Sequence, residues 1–407
     1  MSDPSTMFLR RRDFDVTREL IVASLVFFHT ARIFDQLDFY VKNTPQAPAM
    51  TFVVILTAFW GMPLLFTIAG FAIWHSLQKR TAIEFVRERF QRLLIPFITG
   101  LLVIVPPQIY YRLRVDPAYQ ETYSQFYPRF FDMTLKMNFP WFFSASPESG
   151  LFSPAHLWFL YILLVFTLLL LPVFLYLRKP PGRQLVGRAA SFVKLPWAIF
   201  LPALPIAVIE AALGTDISGG WNQAVYIVFL CYGYLLAADV RFGQLLCKYR
   251  KIGLILAVVG SIGGIAVFAA IAETTHTDPL HAYDLASITL RFFKGIVGWC
   301  WMVAILGFLE DYEKKRKLVG NTRESRAPFR NRSFWASVER YANEAVLPFY
   351  LLHQTVIVVI GFYVVQWHTN ALLKFLIISF TALTITLLLY EIVIKRTRLT
   401  RFCFGMK

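Results

Sequence analysis

Charge and cysteine are both scarce in this chain. Of 407 residues only 16% are Asp, Glu, Lys or Arg, while 57% are apolar, and the apolar residues fall in runs near twenty long, which excludes an ordinary soluble domain. The four cysteines, Cys231, Cys247, Cys300 and Cys403, are scattered in or beside those runs. No CxxC and no Cys/His spacing suited to zinc occurs, so neither a disulfide framework nor a metal is implied. Acidic residues are rarer still, 25 against 41 Lys and Arg for a net charge of +16. The basic residues are divided among the connections between apolar runs instead of forming one patch, so nucleic acid is excluded as a partner and the charge reads as a topology signal. No internal repeat and no appended soluble domain is visible. A small-residue cleavage site is also missing after Arg10, Arg11 and Arg12, so the first apolar run reads as a retained helix.

What remains is a single all-α membrane domain over residues 1–407, a bundle of about ten spans at 19–35, 52–74, 93–111, 156–177, 195–213, 222–240, 252–272, 286–309, 346–366 and 371–394. Placing both termini in the cytoplasm assigns 32 of the 41 Lys and Arg residues to the six segments on that side, as the positive-inside rule requires. Two connections are long. Residues 112–155, expected outside, hold Tyr119, Tyr123, Phe126, Tyr127, Phe130, Phe131, Trp141, Phe142 and Phe143, a density suited to a membrane-interface cap or to a sugar-stacking surface. Residues 310–345, expected inside, carry Lys314 to Lys317, Arg323, Arg326, Arg330 and Arg332. These would attract anionic lipid headgroups at about 1 kcal/mol per charge, or a phosphorylated cofactor.

Ionisable residues inside spans are the candidates for chemistry. Asp15, Arg18 and His29 stand on the first helix. Eleven steps of 100° bring Arg18 and His29 onto one face, roughly 16 Å apart along the axis, with Arg18 at the boundary and His29 inside the membrane. Neutral imidazole is a natural general base for a hydroxyl near pH 7. Arg87, Arg89 and Arg92 precede the third span as a phosphate-binding edge, partly neutralised by the pairs Glu84 to Arg87 and Glu88 to Arg92. Gly61, Pro63 and Gly70 should kink the second span or admit close packing. His156 and Trp158 open the fourth span. His353 and Gln354 are buried in the ninth, Glu391 lies near the end of the tenth, and Arg291 and Lys294 sit in the eighth. Each of these reads either as a packing or anchoring residue or as a contact to acyl group or acceptor. No Ser or Cys stands in an activated setting, which favours direct transfer over a covalent intermediate.

These residues resemble the integral membrane acyltransferase-3 family, whose hallmark is an Arg followed after ten residues by a His in the first helix, here Arg18 and His29. The supporting blocks are MPLLFTIAGF (62–71), VRERFQRLLIP (86–96), HLWFL (156–160), LPFYLLHQTV (347–356) and YEIVIKRTRLTRFCFG (390–405). Asp15, the HLWFL block and the C-terminal block are similar to the branch that decorates osmoregulated periplasmic glucans with succinyl groups. The resemblance implies acyl-CoA, acetyl-CoA or succinyl-CoA, as cytosolic donor and a hydroxyl of an extracytoplasmic polysaccharide or oligosaccharide as acceptor. Its setting would be the bacterial cytoplasmic membrane among membrane lipids. It carries the essential pair onto Arg18 and His29 and places Arg89, Arg92 and His353 in family blocks. The rival from a different class is a secondary transporter or flippase for a polar solute. Such proteins often show inverted repeats and paired broken helices, and here only the second span looks interrupted.

Overall fold

The computed structural model describes residues 12–138, 141–146, 149–192, 195, 197–215, 218–276, 278–323 and 329–406. Arg10, Arg11 and Arg326 lie outside them. In chain order the helices are α1 (Arg12–Phe34), α2 (Pro48–Ala58), α3 (Gly61–Lys79), α4 (Ala82–Arg89), α5 (Ile95–Thr99), α6 (Pro106–Leu113), α7 (Tyr123–Phe130), α8 (Trp158–Arg178), α9 (Pro180–Ser191), α10 (Ala203–Leu213), α11 (Gln223–Ala238), α12 (Val240–Thr275), α13 (Leu285–Arg323), α14 (Phe329–Val364), α15 (Ala371–Leu389) and α16 (Arg398–Cys403). Between α7 and α8 an antiparallel hairpin pairs β1 (Met133–Asn138) with β2 (Trp141–Ala145).

Among the described residues seven helical stretches are long and apolar enough to cross a membrane: Pro48–Lys79, Ala82–Leu113, Ala155–Arg178, Val240–Thr275, Leu285–Arg316, Ser337–Val364 and Ala371–Ile394. The other three expected spans fall on α1, which carries more charge, and on the shorter apolar stretches Ala198–Leu213 and Gln223–Ala238. The interruption expected in the second span is real and lies at residues 59–60, between α2 and α3. Gly61 and Pro63 therefore open α3, where a proline is tolerated because its missing N–H has no helical partner.

The chain forms two compact units. The first comprises 1–18, 56–82 and 170–335, and the second 19–55, 83–169 and 336–407. In the first unit α12 packs along α13, α10 packs on α13, and α11 packs on α3. The α3–α11 contact is made backbone to backbone. A Cβ built on Gly70 would lie 2.0 Å from the Leu230 carbonyl oxygen, and one on Gly233 would lie 1.9 Å from that of Thr67. Small residues at such crossings substitute for the hydrophobic drive that lipid surroundings remove. Flanking stacks tighten the same unit: Phe66 lies on Tyr226 at 4.4 Å and Phe174 on Tyr234 at 4.4 Å between ring centroids. The Trp221 indole N–H donates 2.8 Å to the carbonyl of Ala58, the last residue of α2, a position whose carbonyl has no partner within its own helix.

The second unit is marked by three π-helical turns, Phe90–Leu94, Gly100–Ile104 and Tyr390–Ile394. Two of them precede prolines, whose rings clash with the preceding turn and withhold an N–H. The Leu102 carbonyl illustrates the result. Its α-type donor would be residue 106 and its π-type donor residue 107, and both are proline. The Tyr127 hydroxyl of α7 donates to it instead, at 3.0 Å. One buried apolar cluster of this unit gathers Ile104, Ala345, Leu352, Tyr390 and Ile394.

Candidate functional site

His29 stands on α1 five residues before the helix ends, and the local sequence holds that end still. Asp35, fully buried, receives Arg32 at 2.5 Å and Lys42 at 2.6 Å. Lys42 also donates to the carbonyls of Arg32 (2.7 Å), Leu37 (3.0 Å) and Asp35, so a cation closes the C-terminus of α1 where the helix dipole favours one. Arg112 adds Asp38 at 2.8 Å. Burial pushes the Lys42 ammonium below its usual range, with Asp35 opposing, and desolvation raises the Tyr40 phenol in the same loop to about 12. Breaking such a buried pair from the carboxylate side leaves two desolvated cations. Asp35→Ala is therefore expected to cost about 3 kcal/mol, read as a lowered unfolding midpoint, with Asp35→Asn intermediate.

The second unit brings together three of the histidines singled out in the sequence. The His353 ring lies 5.2 Å from that of His29 and 5.2 Å from that of His156, although His29 and His353 are separated by most of the chain. His156 sits in a 3₁₀ turn, Ala155–Leu157, whose first residue takes a left-handed backbone with φ of 48°. That conformation costs a non-glycine residue about 1 kcal/mol. Two bonds to α14 hold it. His156 Nε2 donates 3.1 Å to the Leu351 carbonyl, and the Tyr350 hydroxyl donates to the His156 carbonyl. His353 Nδ1 donates 2.7 Å to the Tyr350 carbonyl.

These contacts fix two tautomers, because a carbonyl can only accept. His156 carries its proton on Nε2 and presents a lone pair at Nδ1; His353 carries its proton on Nδ1 and presents a lone pair at Nε2. Both of those lone-pair nitrogens, together with His29 Nδ1, are buried without a hydrogen-bond partner among the described residues. Burying a polar nitrogen without a partner costs about 1–3 kcal/mol, so the fold sustains this cluster at a cost. His156 and His353 are buried, at 6% and 0% exposure. His29 is only partly buried and is the most exposed ring of the three. Beside His353, Gln354 donates 2.9 Å to Gln108, Gln108 donates 2.6 Å to Thr355, and Thr355 donates 2.7 Å to the Ile104 carbonyl. This chain fixes α14 against the stretch after the second π turn. Gln108 and the Asp35 network were not singled out in the sequence, although Arg32 and Asp35 stand at the i, i+3 spacing of a helical ion pair.

The remaining candidates are placed as follows. Arg18 and Asp15 fall in the first unit, 3.7 Å apart. In the second unit Arg89 lies over the Phe85 ring at 4.7 Å, and Arg92, on the first π turn, pairs with Glu88 at 3.4 Å. Trp158 opens α8 directly after the His156 turn, and Glu391, on the last π turn, pairs with Lys395 at 3.0 Å. Arg291 and Lys294 belong to the first unit and are committed to the end of α10. Arg291 donates to the carbonyls of Glu210 (3.2 Å), Ala211 (3.3 Å), Pro279 (3.0 Å) and Ala282. Lys294 bonds the buried Glu210 carboxylate at 2.8 Å and Thr215 at 2.8 Å.

The long apolar helices are those of an integral membrane protein, and its second unit holds a cluster of three imidazoles. The family model described as an acyltransferase domain, that of the third acyltransferase family, matches residues 11–391, and the chain belongs to this family of acyltransferases. No curated protein and no solved structure matches it.

Proposed function

We propose that this acyltransferase moves an acetyl or succinyl group from acyl-CoA on the cytoplasmic side of a bacterial inner membrane to a hydroxyl of an extracytoplasmic glycan, with osmoregulated periplasmic glucan as the leading acceptor. The observation that carries the chemistry is the imidazole cluster, in which His29 is the most accessible ring and has a buried nitrogen without a partner. In this reading His29 takes the proton from the acceptor hydroxyl as its oxygen attacks the thioester carbonyl. An ester C–O bond forms, the C–S bond breaks, and the proton passes to the departing thiolate. Arg18, Arg89 and Arg92 are the phosphate-binding candidates by their family blocks, since guanidinium forks match phosphate oxygens. His353 and His156 support His29 by presenting lone pairs beside it. Ten spans with the basic connections in the cytoplasm would put donor and acceptor on opposite faces, and this separation explains a membrane-embedded catalyst.

The test is mass spectrometry of periplasmic and surface glycans from cells with the gene deleted and restored. Loss of one defined acyl mass on deletion, and its return on restoration, is the expected result, and that mass names the acyl group. An unchanged set of glycan and lipid masses in the deletion strain would remove the proposed acceptor class.

A further inference from the structure

A cavity of about 560 Å³ opens in the first unit. Leu185 and Arg188 of α9, Phe192 just beyond it, Tyr232 of α11, Leu245 of α12 and Trp299 of α13 are among its walls. The two polar aromatic groups are already used. The Tyr232 hydroxyl donates 2.9 Å to the Pro202 carbonyl, and the Trp299 indole donates 2.6 Å to that of Ile199. Arg188 is the one charged side chain among the lining residues. Apart from Arg188, such a cavity offers a polar solute little to bond and an alkyl chain a largely apolar wall.

Its place in the fold and its charge narrow the occupant. The cavity lies where α8 has ended at Arg178 and where α11 gives way to α12, at the end of these helices that carries Arg178, Lys179, Arg183 and Arg188. From Ser149 to Ile209 the sequence contains no acidic residue, and among the described residues Arg188 has no carboxylate partner. The amphipathic α9 buries Gly182, Val186 and Ala190 along one face. At the rim it leaves Leu185 52% exposed and the following Phe192 62% exposed, beside the arginines. Large apolar side chains interleaved with cations are the pattern of a helix lying in the headgroup boundary of a bilayer.

We propose that this cavity holds an acyl chain of an anionic phospholipid whose phosphate rests on Arg188. The chain enters the apolar space under α9 while the headgroup stays at the rim, so α9 acts as a lipid clamp. The site is independent of the acyl-transfer reading above.

The test uses the full chain reconstituted in phosphatidylcholine vesicles that contain a trace of acyl-chain spin-labelled phosphatidylglycerol or spin-labelled phosphatidylcholine. The readout is the immobilised fraction of each label by electron paramagnetic resonance. The wild-type protein is expected to immobilise phosphatidylglycerol more than phosphatidylcholine, about fivefold at the Arg188 site, because the choline of phosphatidylcholine offsets its phosphate and only phosphatidylglycerol presents a net negative charge to the arginine. Arg188→Gln, at an exposed position, should lower the ratio while leaving the total for phosphatidylcholine unchanged, the selectivity that remains coming from the other basic connections. Ala189→Trp, also exposed and on the cavity wall, should fill the space and remove one immobilised phosphatidylglycerol per chain. Equal immobilisation of the two labels by the wild-type protein, or a selectivity that neither substitution lowers, would overturn the proposal.

Discussion

Purified His29→Ala protein in vesicles is expected to transfer a radiolabelled acyl group from acyl-CoA to acceptor glycan 10² to 10⁴ times more slowly than wild type, roughly the contribution of a positioned general base. The side chain is partly buried and joins none of the hydrogen bonds that hold the turn at His156 or the end of α1, so its removal leaves the fold in place. His353→Ala should cost less. That substitution deletes a lone pair beside His29 and one bond to the Tyr350 carbonyl, and leaves His29, the proposed base, present. Tyr350→Phe should have an intermediate effect by releasing the His156 turn. The ordering separates a reacting group from supporting ones. A His29→Ala protein that is folded, inserted and fully active would sink the general-base assignment, whatever the other variants do.

The second large effect is on assembly. Gly233→Leu is expected to abolish recovery of monodisperse protein after detergent extraction, read by size-exclusion chromatography. Gly70→Ala should lower the midpoint of thermal unfolding by the equivalent of about 3 kcal/mol, at the upper end of the range for overpacked interiors. The reason is the nature of the obstacle. The new carbon would meet carbonyl oxygens of the facing helix at about half of an ordinary contact distance, and no flexible side chain is available to yield. Gly263 and Gly264 of α12 supply the control, because a Cβ on either meets nothing within 4 Å. Alanine there should be neutral or mildly stabilising, as helix propensity predicts. Equal tolerance at Gly70 and Gly263 would show that the α3–α11 crossing is looser than described.

The runs of apolar residues made the helices legible in the sequence, since a span declares itself by composition over twenty residues. The pairing of helices did not. Gly70 announced a close approach, but nothing in a one-dimensional pattern named Gly233 as the residue facing it. The site divides the same way. His29, His156 and His353 were each visible as polar residues in apolar surroundings, while their convergence depends on contacts across most of the chain, which spacing does not encode. The Asp35 network escaped notice because its members sit in a short connection, where an Asp and a Lys are unremarkable until burial is known. Arg291 and Lys294 read equally well as ligand contacts and as structural cations. The carbonyls at the end of α10 that Arg291 satisfies, and the buried Glu210 carboxylate that Lys294 satisfies, became apparent only with that helix in place.

The Leu102 carbonyl has a consequence for how the surface of the second unit is moored. Two successive prolines leave it vacant at the level of the membrane helices, and Tyr127 docks there as a plug enters a socket. The position of α7 is thus written into imino acids some twenty residues earlier in the chain. Restoring an N–H at residue 106 or 107 would offer the helix its own donor, give Tyr127 a competitor, and loosen a segment the substitution never touches.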